Sequence, residues 1–141
     1  MARFFGRYEH SLDAKGRVIL PAKFRGSFER GGFLTQYRDG CLALWTPEEF
    51  ETQLVQLQAA AEAGRPQRNL ARVFAAGSQE VEIDRSGRMP IAVHLRDFAQ
   101  LAAEAPVLVL GAIDRVELWA PAAWQEKVHP YEQALTEEME A

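Results

Sequence analysis

Asp13-Ala14-Lys15-Gly16-Arg17 returns 71 residues later as Asp84-Arg85-Ser86-Gly87-Arg88, and this doubled DxxGR stretch decides how the chain is read. At the same offset Phe24-Arg25 matches Leu95-Arg96, and after a three-residue insertion Leu44-Trp45-Thr46-Pro47 matches Leu118-Trp119-Ala120-Pro121. The positions beyond agree in character: Phe50, Leu54, Leu57 and Ala61 stand against Trp124, Val128, Tyr131 and Leu135. Similarity kept in order over so long a span means one supersecondary unit used twice.

Each copy reads alike. A short strand, with Tyr8 and Leu12 around His10 or with Val81 and Ile83, runs into the DxxGR turn, and a second short strand follows. A brief helix is predicted at 22–29 and again at 93–101. Strands then fall at 33–37 with 41–45, and at 107–111 with 116–119. The turns between them, Arg38-Asp39-Gly40 and Ile113-Asp114-Arg115, have hairpin chemistry.

Thr46 as N-cap, Pro47 in the first helical position and Glu49 completing a capping box start a helix. Phe50, Leu54, Leu57 and Ala61 share one face of it, so it docks on the core or on another subunit. Trp124 and Val128 take the equivalent role in the second copy. Gly64-Arg65-Pro66 breaks the helix, and a second linker helix is predicted at 67–76, with Gly77 as a left-handed C-terminal cap. Pro130 removes an amide donor and predicts a kink near His129. The organisation is therefore a module at 7–49, a helical linker at 50–77, a second module at 78–121 and a C-terminal helix at 122–141. The fold class is mainly β with helices, α+β.

A chain of 141 residues, 48% hydrophobic, can bury a real core as one domain or two very small ones. Cys41 is the single cysteine and lies in the apolar run CLALW, which excludes an internal disulfide and reads as core packing in a reducing compartment. No segment reaches the roughly 18 apolar residues of a membrane span, so no membrane partner is expected and the protein is read as soluble and cytoplasmic. The net charge of −4 conceals an asymmetry. Residues 1–47 carry eight Lys or Arg against four acids, while residues 78–141 carry five against twelve. Such a balance suggests that one face alone meets a polyanion.

Catalysis is not expected. His10, His94 and His129 lie at neither metal-ligand nor triad spacing, so no metal or cofactor is predicted. His10 reads as a satisfied strand residue, His94 as a helix-surface one and His129 as exposed beside Pro130. Glu137, Glu138 and Glu140 form a solvated tail. The scattered glycines make no phosphate loop. Trp45, Trp119 and Trp124 recur at repeat positions, which argues for packing rather than base stacking.

Within each DxxGR turn, Gly16 or Gly87 supplies the positive φ that a tight turn needs, and Asp13 or Asp84 can accept hydrogen bonds from the turn amides. Those four residues are structural. Arg17 and Arg88 can either pair with that aspartate or project toward a partner.

The stretch GRYEHSLDAKGRVILPAKFR, the second DRSGR and the Leu-Trp-x-Pro segments together resemble the MraZ family across nearly the whole chain. The resemblance implies two tandem AbrB-like swapped-hairpin β-barrel modules assembling into a ring-shaped homo-oligomer. It implies a nucleoid-associated, sequence-specific regulator of the division and cell-wall gene cluster, its own promoter included, binding double-stranded DNA with repeated short sites. The DNA-facing role carries onto Arg7, Lys15 and Arg17, and by repetition onto Arg88. Pro90 stands two positions earlier than Pro21 does in the first copy, which is expected to shorten the second strand and set Arg88 apart from Arg17. The alternative is a ring-forming assembly module whose basic strip binds an acidic protein.

Overall fold

The computed structural model describes residues 2–140, with side chains described to 137. In chain order the elements are β1 (Arg7–Ser11), β2 (Arg17–Ile19), α1 (Ala22–Arg25), β3 (Gly32–Gln36), β4 (Leu42–Trp45), α2 (Pro47–Ala60) and α3 (Arg65–Gly77). Then come β5 (Gln79–Val81), β6 (Arg88–Pro90), α4 (Val93–Phe98), β7 (Pro106–Gly111), β8 (Val116–Trp119), α5 (Pro121–Lys127) and α6 (Tyr131–Glu140). Helices hold more residues than strands, so the fold is α+β but not mainly β. The linker and terminal helices carry the difference.

The described residues form a six-stranded antiparallel sheet in the order β1-β7-β8-β4-β3-β5 and a two-stranded ribbon of β2 with β6. The copies exchange strands. β1 pairs with β7, β5 with β3, β2 with β6 and β4 with β8, and each of these pairs joins one copy to the other. Swapping the two copies turns the sheet order into its own reverse, which is the signature of an approximate two-fold. The sheet stays open, with β1 and β5 as edges, so it does not close into a barrel.

β4 and β8 are buried along their whole length, as central strands covered on both faces must be. One face packs Val18, Leu20, Phe24, Phe28, Met89 and Leu95 into the main core. The other gathers Cys41, Leu108, Leu110 and Trp119 beneath Trp124 and Val128 of the C-terminal segment. Trp45 is fully buried and its Nε1 donates to Thr35 Oγ1 at 3.0 Å. Burial pushes the Cys41 thiol up, which suits a packing residue and not a nucleophile.

Local chemistry sets the helices. Thr46 Oγ1 accepts from the Glu49 amide at 3.2 Å and opens α2. Phe50 stacks 4.1 Å from Phe33 and 5.9 Å from Phe74, while Leu54 and Leu57 are half-buried, so α2 and α3 lean together over β3. Gly64, at φ 151°, breaks the chain, and α3 starts at Arg65 because Pro66 in a first turn needs no donor. Gly77 is not a left-handed cap. It closes α3 next to Gln36, whose Oε1 would stand 3.1 Å from a β-carbon there, and Ser78 turns the chain with its amide on Ala75 O. Pro130 divides α5 from α6 rather than bending one helix.

His10 sits on β1 as predicted, but it is not satisfied: Nε2 is buried without a partner among the described residues. Its edge strand turns Tyr8 and His10 toward the core, away from water. His94 is exposed on α4 with Nε2 3.0 Å from Gly77 O, and His129 is exposed beside Pro130. Glu137 is exposed, and the side chains of Glu138 and Glu140 lie outside the described residues. Among the described residues no helix is long and apolar enough to cross a membrane, and no group of three or more His, Cys, Asp or Glu could hold a metal ion.

Candidate nucleic-acid interface

The two DxxGR turns have one geometry. Asp13 Oδ1 accepts from the amides of Lys15 at 2.9 Å and Arg17 at 2.8 Å, while Oδ2 accepts from Arg17 Nε at 2.7 Å. Asp84 repeats this with Ser86 at 2.9 Å, Arg88 at 2.9 Å and Arg88 Nε at 2.8 Å. Gly16 at φ 75° and Gly87 at φ 81° turn the backbone where a side chain would be strained. The Arg17 amide, with its guanidinium, holds the Asp13 carboxyl below the usual range, and Arg88 does the same for Asp84. Of the two readings of the arginine, the structure shows the pairing. Nε pairs with the aspartate, and the terminal nitrogens stay outside that bond.

The ribbon sets the turns at its opposite ends. Arg17 faces Pro90, Val18 faces Met89 and Ile19 faces Arg88. Val18 and Met89 enter the core at 1% and 0% exposure, so the alternation of a strand puts Arg17, Ile19, Arg88 and Pro90 on the outward side. The two arginines stand diagonally, about 6.6 Å apart along the strand direction at roughly 3.3 Å per residue. Lys15 and Arg85 are exposed at the two tips.

Pro90 does not shorten β6, which has three residues, as β2 has. The Leu20 amide donates to Gly87 O at 2.7 Å and the Ile91 amide to Gly16 O at 3.2 Å. Antiparallel alternation then makes Arg17 and Pro90 a non-hydrogen-bonded pair, where the missing donor would have faced away from the ladder. Arg88 is consequently presented like Arg17, and is more open: its side chain is 41% exposed against 28%.

The structure does not bring Arg7 to this face. Arg7 lies at the far end of β1, with its guanidinium 5.8 Å from the Trp124 ring centre. Trp124 and Val128 pack on the sheet, as half-buried neighbours of Trp119. Three basic residues at the turns escape a reading of the motif alone. Arg85 takes the place of Ala14 in the second turn, and Arg25 and Arg96 reach the turns from α1 and α4. The 71-residue offset that pairs Arg25 with Arg96 was the available signal.

Comparison with known proteins finds the chain matched as two repeats. The family model described as "MraZ protein, putative antitoxin-like" matches residues 3–73 and again 74–140. A Nocardioides sp. protein named transcriptional regulator MraZ is 42% identical over 123 residues, 87% of this chain and 84% of the relative. One of that name from Thermoanaerobacter pseudethanolicus is 40% identical, covering 86% of this chain and 83% of its own. Another from Kocuria rhizophila is 39% identical over 134 residues, 95% and 92% of the two chains. Two matched repeats spanning nearly the whole sequence, and relatives at this identity and coverage, establish that the chain belongs to the MraZ family of transcriptional regulators.

Proposed function

We propose that the protein is a sequence-specific DNA-binding transcriptional regulator whose DNA-facing surface is the outward side of the β2–β6 ribbon. The observation that carries this reading is the matched presentation of Arg17 and Arg88, each held at Nε by its aspartate with the terminal nitrogens left over. A guanidinium so fixed has little freedom left to lose on binding, and can bond two-pronged to guanine O6 and N7. Lys15 and Arg85 at the tips suit phosphates. The ribbon is two strands wide, a form that the major groove admits.

In this reading the chain works as a ring of copies, so that ribbons from successive subunits meet repeated short sites and linked contacts multiply the affinity. The half-buried or exposed apolar residues Leu57, Leu70, Val73 and Phe98 line a groove that a neighbouring copy would cover. The targets are the division and cell-wall gene cluster and the protein's own promoter, in the cytoplasm at the nucleoid. Fluorescence anisotropy against a duplex from upstream of its own gene and against an unrelated duplex, across a salt series, tests the function. Preference for the first, weakening with salt, is expected; equal binding to both overturns it.

A further inference from the structure

Arg96 belongs to the second copy, yet its guanidinium lies against the first turn. A β-carbon on Gly16 would stand 2.6 Å from Arg96 Cζ and 2.7 Å from Nε. Arg25, in the first copy, closes on Gly87 more tightly still. Each arginine is also tied at its base: Arg96 Nε donates to Ile91 O at 3.0 Å and Arg25 Nε to Leu20 O at 2.8 Å. The amides of those same residues cross to the opposite turn, Ile91 to Gly16 O and Leu20 to Gly87 O. A closed path therefore runs from each helix arginine, through its own copy's strand end, to the other copy's glycine.

We propose that Arg25 and Arg96 are positioning residues acting across the repeats, each holding the DxxGR turn of the other copy in the shape that presents its arginine. The glycine serves twice, once for its φ and once as the bare surface on which a planar guanidinium rests. The two turns are thereby supported reciprocally, and loss of one arginine damages the distant turn in sequence rather than the near one. The consequence for the turn stands by itself, while the consequence for DNA rests on the function proposed above.

The test is residue-resolved amide exchange in the full chain. The amides of Lys15, Gly16 and Arg17 report the first turn, and those of Ser86, Gly87 and Arg88 the second, because each is hydrogen-bonded to the turn aspartate. Arg96→Ala is expected to speed exchange about fivefold in the first turn and leave the second unchanged, the factor that one net hydrogen bond provides. Arg25→Ala is expected to do the reverse. Arg96→Gln restores protection, because Gln Nε2 lies as many bonds from the backbone as Arg Nε and can donate to the same carbonyl. Arg96→Lys keeps the charge without a donor at that place and does not restore it. Should an alanine variant unfold, the glutamine and lysine pair carries the test.

Faster exchange in the arginine's own turn, in both turns equally or in neither overturns the proposal, as does rescue by lysine but not glutamine. Binding to the upstream duplex is read on the same variants, with about tenfold weaker affinity expected for Arg96→Ala. A wild-type protein without preference for that duplex would sink the DNA function and leave the exchange result standing. Unchanged exchange with intact DNA preference would sink the positioning role alone.

Discussion

Asp13 Oδ2 accepts from Arg17 Nε at 2.7 Å, and the other oxygen of the same carboxylate gathers the amides of Lys15 and Arg17. One side chain thus shapes the turn and aims the arginine. Asp13→Ala is expected to lower the melting temperature as well as DNA affinity. A variant with full thermal stability that lost DNA affinity alone would contradict this.

The same bonds fix a pH dependence. In the folded chain the carboxyls of Asp13 and Asp84 lie below their ordinary value of 3.8, the turn amides favouring the ionised form. Their stabilisation is present in full above that value and fades as pH falls through the lowered ones. An Asp13→Asn/Asp84→Asn double variant is expected to melt lower than the wild type at neutral pH, with the gap narrowing as pH drops below 3.8. A gap that widens in acid would reverse the sign.

The glycines differ from one another in a measurable way. Gly16→Ala and Gly87→Ala place a side chain at positive φ, which costs about 1–2 kcal/mol, and drive a β-carbon into an arginine besides. Gly26→Ala is the control, because its φ is −57° and a β-carbon there meets open space. It is expected to stabilise the chain by about 0.4–1 kcal/mol through the unfolded state. Denaturant titration of the three variants decides the ranking.

Features of the fold that rest on neighbours in sequence were legible there. The DxxGR turns, the Thr46 cap and the hairpins around Asp39 and Ile113 are local chemistry, and the structure has them where the residues put them. The exchange of strands between copies was not, because a repeat shows that a unit occurs twice without showing which copy each strand pairs with. β1 meets β7 across most of the chain. Pro90 was misleading for a related reason: the cost of a missing donor depends on which side of the ribbon it would have faced. Arg25 and Arg96 stood aligned in the repeat, but their reach across to Gly87 and Gly16 needed the two-fold packing.

On the far side of the sheet, Glu117 is buried and accepts from Arg115 Nε at 2.8 Å and from Trp119 Nε1 at 2.9 Å. Arg115 lies 4.7 Å from the Tyr37 ring centre. Arg115→Leu leaves a buried carboxylate without its cation and is expected to destabilise the chain by about 3–5 kcal/mol. Arg115→Leu/Glu117→Leu should recover much of that loss. A single variant as stable as the wild type would show that the pair carries no weight.

The last expectation concerns how Arg17 and Arg88 would share the proposed work on DNA. The ribbon places them diagonally on one face with matching ion pairs, so neither has a geometric advantage. An arginine bound to phosphate contributes about 0.9 to the slope of log affinity against log salt, and its removal weakens every sequence alike. An arginine on guanine contributes about 1–3 kcal/mol of discrimination, and its removal relaxes the preference at one position. Arg17→Ala and Arg88→Ala are each expected to behave in the second way, and to similar extents, whereas Lys15→Ala and Arg85→Ala behave in the first. Light scattering should give all four variants the wild-type mass, a multiple of 15.8 kDa, because the ribbon lies apart from the groove proposed for assembly. In that groove Val73→Asp, at a side chain 57% exposed, is expected to lower the mass toward one chain. It should also weaken binding to duplexes with several sites much more than to a duplex with one, since a subunit removed from the proposed ring would keep its ribbon and lose only its linkage. Equal weakening on both duplexes would separate assembly from DNA affinity, and full discrimination by Arg17→Ala would take the ribbon out of base reading.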